Sequence, residues 1–250
     1  MNNTSHQYDK IAVDYRKGEE TIQKEHINKA TFLHLVSSFN LEGKSVIDLG
    51  CGSGYSTRLL TSFKPKKIVG TDISREQIKL AKEIEKRENQ GIEYIAADTK
   101  NLTNSITERF DYATALFLLH YSRTRRELEQ MCKSIYDTLQ DKGVFIAVNG
   151  HPTEYKLKTP KYGCIVETTL PEKEGGERKV SYLSEGKKMF TFTTYYWRKE
   201  TYENALKKAG FKKIEWKHPT VSKKGMEKYG KSFWKEFLEN PSIIGIVCYT

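Results

Sequence analysis

The stretch VIDLGCGSGYSTRLL, Val46 to Leu60, decides the reading of this chain. A short apolar run ends in an acid, and three glycines spaced two apart follow it. The run reads as a buried strand and Ser56 to Phe63 as a helix that stops near Pro65. Gly50, Gly52 and Gly54 then let the backbone turn tightly and approach a ligand without Cβ clashes. The strand delivers Asp48 to the edge where open α/β sheets bind ligands, and the following helix points its N-terminus there. Two nucleotide fingerprints fail on this stretch. The dinucleotide pattern would need a small residue where Tyr55 stands, and the Walker pattern needs a Gly-Lys-Ser/Thr that is absent.

Outward from this point the pattern repeats. Lys67–Asp72 reads as a second strand, followed by a helix that begins at Ser74 with Gln77 three residues on, a capping-box spacing. Ile92–Ala97, Phe110–Leu116 and Val144–Val148 read as three more strands, with a helix over Glu127–Leu139. Short apolar strands alternating with helices predict a parallel sheet covered on both faces. Asp72 and Asp98 end the second and third strands. An acid at the end of the second strand can accept both ribose hydroxyls, and Asp98-Thr99 can meet an adenine edge. Acids at three successive strand ends define one ligand rim.

Beyond residue 150 the rhythm breaks. Lys179–Leu183 and Met189–Tyr195 flank Glu185-Gly186 and predict an antiparallel hairpin. Lys199–Lys208 reads as a helix closed by Gly210, Phe211–Lys217 as a sixth strand, Lys224–Leu238 as a helix and Ile243–Tyr249 as a seventh strand. Upstream, a helix is expected over Ile22–Phe39, with Ile27, Ala30, Thr31, His34 and Leu35 on one face.

The 250 residues carry a formal net charge of +10, but the basic residues are scattered. A solvated lysine-rich surface accounts for that pattern, and a nucleic-acid partner is not expected. Without a basic stretch followed by an apolar one at the N-terminus, or any long apolar run, neither secretion nor a membrane span is expected. Cys51, Cys132, Cys164 and Cys248 are far apart and read as free thiols of a cytoplasmic protein, with no metal site.

DLGCGSG, VGTDIS (69–74), AADTK (96–100) and ALFLLHYS (115–122) together resemble the successive motifs of class I S-adenosylmethionine-dependent methyltransferases. The resemblance implies a Rossmann-like seven-stranded sheet with an antiparallel last strand, and S-adenosylmethionine as methyl donor, leaving S-adenosylhomocysteine. It implies that the Gly50-Cys51-Gly52 backbone and Asp48 meet the methionine moiety, with Gly54 completing the loop. Asp72 would take the ribose, Ile73 the adenine face, and Asp98 with Thr99 the adenine edge. Leu116 and Phe117 would offer a carbonyl to the methionine amine. YDKIAVDY (8–15), FTTYYWRKETYENALKKAGF (192–211) and FWKEFLENPSIIGI (233–246) resemble the toxoflavin-synthase-like branch, which is associated with N-methylation of an azapteridine.

The organisation expected is an N-terminal helical lid (1–40), a cofactor-binding core (41–150), an inserted hairpin supplying the acceptor region (151–197) and the C-terminal part of the core sheet (198–250). Tyr8 and Tyr15 of the lid are candidates for cofactor contact. Methyl transfer from a sulfonium requires alignment and exclusion of water, and a base only when the nucleophile is protonated. No catalytic residue is therefore assigned; His120, His151 and Tyr196 are candidates, and Tyr195-Tyr196-Trp197 either lines a pocket for a flat ring or packs on the sheet. A small-molecule acceptor, as monomer or homodimer, is the expectation. The alternatives are an RNA or protein methyltransferase and a non-catalytic protein that keeps the cofactor fold.

Overall fold

The computed structural model describes residues 21–153, 160–169, 171–184 and 186–250. Seven strands form one mixed sheet: β1 (Ser45–Leu49), β2 (Lys67–Asp72), β3 (Ile92–Ala96), β4 (Phe110–Leu116), β5 (Leu139–Gly150), β9 (Lys213–Lys217) and β10 (Ile243–Tyr249). Their spatial order is β3-β2-β1-β4-β5-β10-β9. The first five run parallel, and β10 lies antiparallel between β5 and β9. This is the Rossmann-like arrangement expected, with the reversed strand in its expected place.

Alternate side chains of the buried strands feed two separate core layers. Ile47 and Leu49 pack with Leu128, Ile135 and Leu206 on one face, while Val46, Ile68 and Tyr94 pack with Phe32, Leu35 and Trp234 on the other. The first layer is covered by α4 (Arg125–Asp137) and α5 (Lys199–Ala209). The second is covered by α1 (Lys29–Val36) and α7 (Lys231–Glu239). The remaining helices are α2 (Tyr55–Leu60), α3 (Arg75–Glu88) and α6 (Lys223–Tyr229). Among the described residues no helix is long and apolar enough to cross a membrane.

Three local expectations change. The helix expected from Ile22 opens with a π-helical turn, Lys24–Asn28. A π turn holds more residues than an α turn, so the apolar stripe drifts. Phe32 and Val36 join Ile27, Thr31 and Leu35 inside, and His34 is exposed. The helix expected over 224–238 is two helices, broken at Gly230, whose φ of 78° and ψ of 159° no helix accommodates. Finally, the expected hairpin, β7 (Glu177–Ser184) and β8 (Lys187–Tyr195), is joined by β6 (Cys164–Thr168) into a three-stranded antiparallel sheet.

That small sheet leaves the chain after β5 and returns it at α5. Its own core is Cys164, Tyr182, Phe190 and Phe192. It is tied to the ligand rim of the large sheet by Trp197 Nε1, which donates to Ser122 O at 2.9 Å. Arg178 adds donations to His151 O (3.0 Å) and Thr153 O (2.7 Å).

Candidate functional site

The parallel register sets Asp48 beside Gly70 and Thr114, Leu49 beside Thr71 and Ala115, and Asp72 beside Ala96. The loops after β1, β2, β3 and β4 therefore leave one rim. There they surround a cleft of about 1180 Å³, open solvent at its mouth included.

The glycine loop is shaped by its own packing. Gly54 sits at φ 84°, and a Cβ there would stand 2.8 Å from Tyr94 Cζ. Gly52, at φ 54°, borders the cleft, and only the Gln77 amide oxygen lies within 4 Å of the Cβ position. The loop is stitched to the next strand by Asp72. Its Oδ2 accepts the Gly52 N–H and its Oδ1 the Ser74 N–H, both at 2.8 Å.

That stitching frees a residue that sequence reasoning treated as a cap. Ser74 Oγ accepts the Gln77 N–H, as a capping box requires, but Asp72 takes the Ser74 N–H that the Gln77 side chain would otherwise bind. The Gln77 amide lines the cleft with both polar atoms buried and unpartnered. Asn28 does the same from the π turn: its Nδ2 donates to Tyr182 Oη, and its Oδ1, buried at the cleft, has no partner. Neither residue carried a sequence signal for the cleft, Gln77 reading only as a capping-box partner, since only the fold brings helix α3 and residue 28 to the same wall.

Of the expected cofactor contacts, Gly50, Cys51, Gly52, Asp72, Ile73, Asp98, Thr99, Leu116 and Phe117 all line this cleft. Gly54 sits behind it. Asp98 Oδ1 accepts the Lys100 N–H at 3.0 Å, and Lys100 Nζ lies 3.6 Å from both Asp98 Oδ2 and Glu127 Oε1. Tyr8 and Tyr15 lie outside the described residues.

Asp48 corrects the expectation made for it. It is fully buried beneath the loop, and its two oxygens accept the hydroxyls of Ser56 (2.8 Å), Thr57 (2.7 Å) and Thr114 (2.7 Å). Burial pushes its carboxyl above the usual range while those three hydroxyls pull it down. It braces the glycine loop against β4 rather than facing the cleft.

Phe117 and Tyr121 border a second cavity as well, of about 690 Å³ with the open solvent at its mouth included, between the rim and the three-stranded sheet. Phe117 holds φ at 67°, a left-handed backbone that is uncommon for an aromatic residue and found where a site demands it. Tyr182, Phe192, Tyr195 and Trp197 wall this cavity. Tyr196 does not line either cavity; its ring packs under the Arg178 guanidinium, 4.6 Å away.

The two histidine candidates both reach the second cavity. His120 Nδ1 accepts the Gly150 N–H at 3.2 Å. Burial, then the Arg178 cation, pushes its ring down to about 3, so it is neutral at pH 7 and a poor base. His151 Nδ1 lies 2.8 Å from Thr153 Oγ1, and burial together with the nearby His218 and Arg178 pushes it down to about 4.

The cleft suits a cationic nucleoside. Asp72, Asp98 and Glu127 set three carboxylates along it against Lys24 and Lys100. They favour an ammonium, a sulfonium and ribose hydroxyls, and oppose a phosphate chain. The orphaned amides of Gln77 and Asn28 add donor and acceptor capacity for such a ligand.

Residues 46–143 match the sequence model of a methyltransferase domain. The chain is 22% identical over 212 residues to N-demethylindolmycin N-methyltransferase of Streptomyces griseus, covering 83% of this chain and 87% of that one. It is 26% identical over 169 residues to ribosomal protein L11 methyltransferase of Dictyoglomus thermophilum, covering 67% of this chain and about half, 53%, of that one. A solved S-adenosylmethionine-dependent methyltransferase from Mesorhizobium loti superposes with a TM-score of 0.64 at 17% identity, over 93% of this chain and 100% of that one.

Proposed function

We infer that this chain, an S-adenosylmethionine-dependent methyltransferase, alkylates a compact small molecule bound in the second cavity. One observation carries the reading. The two cavities share the walls Phe117 and Tyr121, so a donor in the first and an acceptor in the second meet across a single pair of aromatic residues. The likeness to N-demethylindolmycin N-methyltransferase supports it.

The donor would be held by the Gly50–Gly52 backbone, by Asp72 and by Asp98 with Thr99, with Gln77 and Asn28 completing its polar contacts. The N-terminal lid expected over residues 1–40 would close the cleft, and Tyr8 and Tyr15 remain candidates for cofactor contact. S-adenosylmethionine supplies a methyl group already activated on sulfonium sulfur. The chain's task is then to align an N or O lone pair with that carbon and to keep water out, which the aromatic walls favour. The nitrogen heterocycle implied by the toxoflavin-synthase-like resemblance is a suitable acceptor class.

Isothermal calorimetry tests the donor site. Wild type should bind S-adenosylmethionine at sub-millimolar concentration. Asp72→Asn should weaken binding at least tenfold, because hydrogen bonds to a charged group contribute roughly 1.5–3 kcal/mol. Equal affinities would refute the assignment.

A macromolecular acceptor is the second reading. The net charge of +10 and the likeness to a ribosomal protein methyltransferase favour it. It requires affinity for RNA or ribosomal protein that falls steeply with salt. Weak, salt-insensitive binding discards it.

A further inference from the structure

Among the described residues, one side chain on the wall of the second cavity holds a buried polar atom with no partner, and that atom is His120 Nε2. The other ring nitrogen is committed. Nδ1 accepts the Gly150 N–H at 3.2 Å, and a nitrogen that accepts carries no proton. The neutral ring is thereby fixed as the Nε2–H tautomer, a donor. His120 is only 7% exposed, and a donor so buried is costly unless something accepts from it. Among the described residues no carboxylate lines this cavity, and the one formal cation, Arg178, is already engaged by Glu172 and by the carbonyls of His151 and Thr153.

The surroundings restrict what can accept. The Tyr121 ring lies 4.7 Å from the His120 ring, centroid to centroid, and Phe117 lies 5.8 Å from it. Phe192 continues the wall 6.2 Å beyond Tyr121. Such faces favour a flat ring. A cationic ligand would find no carboxylate among the described lining residues to pair with, since Glu172 is already committed to Arg178.

We propose that His120 Nε2–H is the recognition donor of the second cavity, selecting a flat, neutral or anionic ring system that turns a carbonyl oxygen or unprotonated ring nitrogen toward it. This rests on reading that cavity as the methyl-acceptor site. His120 thus acts in substrate selection and not as a base.

The test uses the full chain with S-adenosylhomocysteine present and two probes of similar shape. Quinolin-4-one offers a carbonyl; indole offers no acceptor atom. Binding is followed by NMR through the methyl groups of Val166 and Val180, which line the cavity. Quinolin-4-one should perturb those methyls, shift the His120 Nε2–H resonance and bind about tenfold tighter than indole, as one net hydrogen bond predicts. His120→Asn keeps an acceptor for the Gly150 N–H but loses the Nε2 donor. It should lower quinolin-4-one affinity about tenfold and leave indole unchanged, and His120→Gln should restore part of the loss. If both probes perturb the methyls equally and ignore His120→Asn, the donor role is overturned while the acceptor-site reading stands. If neither probe reaches Val166 and Val180, the acceptor-site reading fails and the donor role with it. The wild-type comparison is decisive even if a variant does not fold.

Discussion

Asp48 and Asp72 carry the same group at the ends of neighbouring strands, and the folded chain gives them opposite tasks. Asp72 holds two backbone N–H groups at the cleft, whereas Asp48 is sealed beneath it by three hydroxyls. The sequence shows both acids at a ligand rim. It does not show that Ser56, Thr57 and Thr114 converge on the first, because two of those hydroxyls come from the next helix and one from a strand 66 residues away. Asp48→Ala should cost about 3 kcal/mol or more, since each orphaned buried hydroxyl costs roughly 1–3 kcal/mol. Urea unfolding reads this directly. His120 gives a pH signature. The unfolded ring takes a proton near pH 6.5, and the folded ring only near pH 3. Its contribution is complete above pH 6.5 and is lost as pH falls from there toward 3, at up to about 1.4 kcal/mol per pH unit. The stability of wild type should therefore drop more steeply between pH 6.5 and 4.5 than that of His120→Asn; parallel slopes in urea titrations would contradict the buried neutral ring.

Elements were the most legible scale. The seven core strands, the Ser74 cap and the terminating Gly210 all follow from period, capping chemistry and turn residues. The departures share a cause, which is that local pattern does not record how a segment is closed by distant partners. Strand β6 is recognisable only once β7 offers an edge to pair with. The π turn, which carries Lys24 and Asn28 at the cleft, has no local signature in the sequence. The break between α6 and α7 had a signal, Gly230, set within an otherwise helical pattern. Its backbone lies in a region essentially reserved for glycine, so Gly230→Ala should cost about 1–3 kcal/mol. Chemical denaturation should show that loss with an unchanged m-value; a neutral substitution would mean the two helices can join.

The whole molecule is a cofactor-binding sheet with a smaller sheet hung over its rim, and the second cavity exists only because of the overhang. No single-chain periodicity predicts that space, which explains why the sequence pointed to the 151–197 segment and to His120, His151, Tyr195 and Trp197 without showing the cavity they share. The overhang depends on the Arg178–Glu172 pair, buried on both sides and bidentate at 2.5 and 2.7 Å. Arg178→Met strips the buried Glu172 carboxylate of its cation, a loss of about 3–5 kcal/mol in comparable buried pairs. Hydrogen exchange should accelerate across β6–β8 and stay slow in β1–β5, with S-adenosylmethionine affinity kept within about threefold; uniform acceleration would show one cooperative unit instead. The chain enters the overhang after Gly150 and leaves it at Tyr195, so the segment proposed to hold the acceptor is contiguous in sequence and both its junctions line the second cavity. Such a layout lets inheritance trade one chemistry for another by rewriting a single cassette, while the machinery that grips the methyl source passes on untouched.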